Sequence, residues 1–78
     1  MIMIKELDIV VLERHVPEHG LICGDIGTIV HAYGNTNAYE VEFANGEGET
    51  MAVVTLEASD IRVLSKTDIL HVRELKAA

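Results

Sequence analysis

Tryptophan is absent from this chain, and its only aromatic side chains are Tyr33, Tyr39 and Phe43. Grooves that read proline-rich peptides are lined by several aromatics, so that mode of recognition is not expected here. Cysteine occurs once, as Cys23. No disulfide can form within the chain, which suits a reducing, cytoplasmic setting. Basic residues are also scarce: six Lys and Arg stand against thirteen Asp and Glu, a formal net charge of −7. Nucleic-acid binders draw most of their affinity from cations that neutralise phosphates, and an anionic lipid surface would repel such a chain. Neither nucleic acid nor membrane is expected as a partner, whereas a basic protein remains open. No apolar run approaches the roughly eighteen residues of a spanning helix. Residues 1–6 carry no basic segment of the signal-peptide kind.

Apolar residues, by contrast, are plentiful. They make up 49% of the 78 residues, and the mean hydropathy is +0.23. A single domain of this length buries only roughly 60% of the surface of its unfolded chain. Apolar material in excess of one small core is expected to meet a protein partner or a second copy. The charge is uneven. Residues 1–64 hold three basic and eleven acidic side chains, whereas residues 65–78 hold three basic and two acidic.

The patterning is that of strands. Ile4 to Leu12 is apolar and β-branched, with Leu7, Ile9 and Val11 on one face and Asp8, Val10 and Leu12 on the other. Apolar residues on both faces predict a strand covered from both sides. Pro17 and Gly20 then mark a long excursion, and Gly24-Asp25 a turn. Gly27, inside the next strand, predicts a bulge or a close backbone approach. Tyr39, Val41 and Phe43 alternate with Glu40 and Glu42, the cleanest half-buried strand, with Phe43 and Val41 expected to face Ile9 or Val11. Asn45-Gly46 signals a hairpin, 57–60 a single 3₁₀ turn, and 61–64 a short closing strand. The fold class is mainly β: a small five-stranded barrel over residues 1–64. Ser65 and Asp68 have the spacing of a capping box, so the tail, residues 65–78, is expected as a short helix, with an extra strand through residues 69–72 as the alternative. Its apolar residues predict that it docks on the barrel or on a second copy.

Lys5 to Leu12, Pro17 to Leu21, Gly24-Asp25-Ile26-Gly27-Thr28-Ile29-Val30, Tyr39 to Phe43, Val53 to Leu56 and Asp60 to Arg62 together resemble a bacterial domain of unknown function, DUF4926. The Gly-Asp-x-Gly-x-x-Val portion is also similar to KOW-type and other SH3-like barrels. The resemblance implies an SH3-like barrel over residues 4–64 and brings no activity or catalytic residues with it.

His15, His19 and Cys23 are the residue types that bind zinc, and they recur at intervals of four. Pro17 and Gly20 forbid the helix that would gather them, so solvated loop histidines are the favoured reading. Cys23 has no cationic neighbour in sequence to activate a thiolate. Glu40 and Glu42 fall on the outer side of their strand by alternation, as a solvated acidic face or a docking patch. Asp60 and Arg62 are placed to tie the 3₁₀ turn to the last strand. No cofactor is expected. The expected function is a non-enzymatic interaction or accessory module, with Glu40, Glu42, Ile69, Val72 and Leu75 as candidate contact residues. Two other classes compete with it. One is an antitoxin or immunity-type partner of a basic toxin, for which small and acidic suffices. The other is a metal-dependent or hydrolytic enzyme built on His15, His19 and Cys23.

Overall fold

In a computed structural model, which describes residues 4–75, five antiparallel strands form one sheet. They are β1 (Ile9–Leu12), β2 (Ile26–Ala32), β3 (Ala38–Ala44), β4 (Thr50–Glu57) and β5 (Ile61–Val63). Two 3₁₀ turns, Pro17–His19 and Ala58–Asp60, interrupt the connections, and no longer helix occurs among the described residues. The hydrogen-bonded order is β4-β3-β2-β1-β5, so the last strand returns to pair with the first. The expected barrel is not closed by hydrogen bonds. β4 and β5 lie at opposite edges of the sheet, joined by the tight turn between them.

The inner face is where period-two patterning buries side chains. Val10, Leu12, Ile29, Val41, Phe43, Val54, Leu56 and Ile61 form the core, closed at one end by Val16 and Leu21. Those last two come from the long excursion, where a Val16–Leu21 bridge brackets the Pro17–His19 turn and Gly20 ends it at φ +71°. Phe43 and Val41 are core residues as expected, but their partners on β1 are Val10 and Leu12. Ile9 and Val11 were the expected partners. β1 is apolar on both faces, so alternation alone could not choose between them.

β3 packs tightly on β2 at Gly27. A Cβ there would lie 2.6 Å from Val41 Cγ1, 3.0 Å from the Glu42 carbonyl oxygen and 3.0 Å from Phe43 Cε1. The bulge in this strand pair falls further on, between Ile29 and His31, so Gly27 serves the close approach. At the other end of the sheet, residues 5–8 form a tight turn. Asp8 accepts from the Lys5 N–H at 3.0 Å, and Leu7 takes φ +73°, a conformation unfavourable for a branched side chain.

The tail departs most from expectation. Over residues 64–75 it is neither helix nor strand. Ser65 and Asp68 do make the local bonds of a turn, with Ser65 N–H donating to Asp68 Oδ2 at 2.7 Å and Asp68 N–H to the Ser65 carbonyl at 3.1 Å. The turn does not propagate, because both ends of the following segment are held elsewhere. Arg62 on β5 grips the Asp68 carboxylate with two nitrogens, at 2.8 and 3.0 Å. Arg73 reaches back to Asp25 with two more, at 2.8 and 2.6 Å, and to the Gly20 carbonyl at 2.9 Å. The segment is a strap.

Candidate interaction surface

The strap's two anchors fix its path. Arg62 stands opposite Val11 on β1, and Val11 stands opposite Ile26 on β2, next to Asp25. A chain pinned at Arg62 and at Asp25 crosses this row of the outer face. Five residues of extended chain reach roughly 17 Å, ample for two strand spacings of about 4.8 Å. Val11, which lies on the face away from the core and yet is only 7% exposed, sits between these two anchors. The sequence expectation of a strand covered on both sides holds at Val11 alone, for Leu7 and Ile9 on the same face are exposed. Beyond Arg73, Leu75 packs where a side chain on Gly20 would be, its Cδ1 3.2 Å from that Cβ position. Between the strap and the β3–β4 hairpin runs an open groove of about 560 Å³, with Ile26, Phe43 and Met51 on one side and Val72 and Leu75 on the other.

The anchors are electrostatically well made. The Arg62 bond, helped by the Ser65 N–H, holds the Asp68 carboxyl well below the usual carboxylate range. Burial works to raise Asp25, but the Arg73 guanidinium and the Ile22 N–H outweigh it and leave its pKa lowered. Arg62 and Arg73 are correspondingly raised, each first by its carboxylate partner.

The strap covers one end of the outer face and leaves the rest open. The uncovered row runs Ile9, Thr28, Glu42, Val53 across four strands, with Glu40 and Thr55 in the next row. Ile9 and Val53 are exposed, Val53 by 51%. Both glutamates are held in place by hydroxyl donors. Thr50 Oγ1 donates to Glu42, Tyr33 Oη donates to Glu40, and Thr55 Oγ1 lies 2.9 Å from both Glu40 oxygens. The Tyr33 bond first, then that from Thr55, lowers the Glu40 pKa, while the same contact raises that of Tyr33. Alternation placed Glu40 and Glu42 on this side of β3. It gave no sign that three threonine and tyrosine hydroxyls from neighbouring segments would fix them.

The candidate contact residues therefore separate into two groups. Glu40 and Glu42 sit on the sheet, half-buried in their hydroxyl bonds. Ile69 and Val72 stand out from the strap, 92% and 90% exposed, whereas Leu75 turns toward Gly20. His15 and Cys23 do come together, but through the backbone. The Cys23 N–H donates to His15 Nδ1 at 3.0 Å, which commits that nitrogen as an acceptor. His19 lies on the 3₁₀ turn, and among the described residues no three His, Cys, Asp or Glu side chains gather as metal ligands. Asp60 does not tie down Arg62. It accepts from Arg14 Nε at 2.9 Å and from the Glu57 N–H at 2.9 Å, while Arg62 turns to Asp68 and, at 3.7 Å, to Glu13.

The family model described as a domain of unknown function, DUF4926, matches residues 6–63. The chain belongs to this family. The DUF4926 match ends at Val63, the last residue of β5, so it takes in all five strands and both 3₁₀ turns and stops short of the strap. No curated protein and no solved structure matches the chain significantly.

Proposed function

We propose that this protein is a non-catalytic interaction module that docks a basic protein partner on the uncovered part of its outer face. The observation that carries the reading is the pairing of Glu40 and Glu42, pinned by hydroxyl bonds, with the exposed apolar side chains of Ile9 and Val53 in the same two rows. Fixed carboxylates beside apolar anchors are what a rim and a centre of an interface require. The net charge of −7 would speed the capture of a basic partner. Neutralising a basic toxin is the narrower form of this reading and would use the same face. The strand order, with β5 returned to β1 after a 3₁₀ turn, supports an SH3-like classification of the fold.

The test is affinity capture from extracts of the native host, comparing the wild-type chain with the double substitution Glu40→Lys and Glu42→Lys. The partner recovered by the wild type should be lost from the variant while the variant's circular dichroism stays unchanged. Equal recovery by both proteins would remove the outer face from consideration. The toxin form is tested separately, by whether co-expression with a neighbouring basic growth inhibitor restores growth.

A further inference from the structure

The edge of β4 is open over a stretch whose limits are set by identifiable contacts. Beyond the end of the β3–β4 ladder, the Ala58 N–H donates to the Asn37 carbonyl at 2.8 Å, continuing the register in which Ala38 faces Glu57. Hydrogen-bonded and non-bonded pairs alternate along an antiparallel ladder. Ala52, Val54 and Leu56 therefore bond to β3, and the main-chain groups of Val53, Thr55 and Glu57 point to the open side. The Glu57 N–H is already taken by Asp60 Oδ2 at 2.9 Å. At the other end the register shifts, leaving Met51 as an extra, bulged residue. What remains open is the N–H and C=O of Val53 and Thr55, which make no hydrogen bond among the described residues. Exposed edges are normally guarded by Lys, Pro or a bulge. Here the bulge and the Asp60 cap guard the two ends, and residues 52–56, Ala-Val-Val-Thr-Leu, carry no guard between them.

We propose that a second copy of this chain pairs with this edge, β4 against β4, about a two-fold axis through Val54. The open groups are symmetric about that residue. An antiparallel partner places Val53 opposite the second copy's Thr55 and Thr55 opposite its Val53, satisfying all four groups of each copy in about four hydrogen bonds. The same register puts Ala52 against Leu56 and Val54 against its own equivalent, so inner face continues into inner face. Centring the axis one residue earlier, on Val53, would set Glu49 against Glu57, a like-charge pair that disfavours it. A closed two-fold contact needs a self-complementary patch, and this edge has one. Pairing joins two five-stranded sheets into one and sets two outer faces side by side. It does not depend on the basic-partner reading above.

The experiment is sedimentation velocity on the full chain over a concentration series, at low and at high salt. Two copies of charge −7 repel, so the dimer fraction should rise several-fold as salt screens them. A basic contaminant or partner would be shed under the same change. Val53→Pro removes an outward-facing N–H without touching the β3 ladder and should weaken dimerisation by about tenfold or more. Because that variant could misfold, Val54→Cys in a Cys23→Ser background provides the second arm. Across a non-hydrogen-bonded pair the two Cα atoms sit roughly 4.5 Å apart, within disulfide range, so mild oxidation should link the two copies. A chain that stays monomeric at every concentration and salt would overturn the proposal. So would a dimer unaffected by Val53→Pro in a folded variant, or one that fails to cross-link through Val54→Cys.

Discussion

The two faces of this sheet are held by different kinds of force. On the inner face ten buried apolar side chains meet one another, and among the described residues none that is buried is polar or charged. On the outer face the cover is a strap held by two Arg–Asp pairs, and the exposed remainder is ordered by hydroxyls on carboxylates. Burial of apolar area is proportional and non-directional, so many side chains share the inner face and neighbours can partly compensate for one loss. Charge-assisted bonds are few and directional, so the outer face hangs on single residues.

The largest effect should come from the inner face. Phe43→Ala removes a side chain only 3% exposed and should cost on the order of 3–5 kcal/mol, a large share of the stability of a domain this small. Denaturant melts would show it. A variant that keeps the wild-type midpoint would mean that the core does not rest on Phe43.

Gly27→Ala comes next. The added methyl meets a backbone oxygen as well as two core side chains, so β2 and β3 must part, at a cost of about 1–3 kcal/mol. Equal stability of the two proteins in a thermal melt would show that the strands can part freely.

Removal of everything after Leu64 should be milder and should leave the sheet folded. It uncovers Val11, worth roughly 1–2 kcal/mol for a side chain of that size. Acid should release the strap without any deletion. Asp25 and Asp68 have lowered pKa values in the fold, so their contribution is complete above the ordinary carboxylate pKa of about 4. It is then lost as the pH falls toward their depressed values. The Val11 methyl resonances should move in that acid range while the Val41 methyl and Phe43 ring resonances hold. Simultaneous movement of all three would mean that strap and sheet are one cooperative unit.

The smallest effect has the opposite sign. Leu7 is 79% exposed and held at φ +73°, so Leu7→Gly relieves a strained backbone and should stabilise by about 0.5–1 kcal/mol. A loss of stability instead would show that the Leu7 side chain packs on something that its exposure hides.

The same contrast explains what could be read in advance. β3 was legible because its alternation is strict: Val41 and Phe43 go in, Glu40 and Glu42 go out, and the register follows. The 3₁₀ turn before β5 and the long excursion marked by Pro17 and Gly20 were legible from local composition. The face of β1 was not, since Ile9-Val10-Val11-Leu12 is apolar at every position and the choice depends on what covers each side. The strap was misread as a helix for a related reason. Ser65 and Asp68 have capping-box spacing, but Asp68 is claimed by Arg62 and Arg73 by Asp25, 48 residues earlier in the chain. A periodicity argument sees only neighbours. The open edge of β4 left no mark in the sequence either, because it follows from a register and from the Asp60 cap, both set by distant residues.

The return of β5 to β1 also fixes an order of events in time. The hairpins of β2, β3 and β4 join neighbours in the chain and can form quickly, whereas Val10 must wait for Val63. On the ribosome, β1 therefore has an unsatisfied side until nearly the whole chain has emerged, and the strap can close over Val11 only after that. A nascent chain stalled before residue 61 would present β1 as a second open edge, apolar on both faces. Such fragments should be prone to aggregation and good clients for chaperones, even though the finished domain is short.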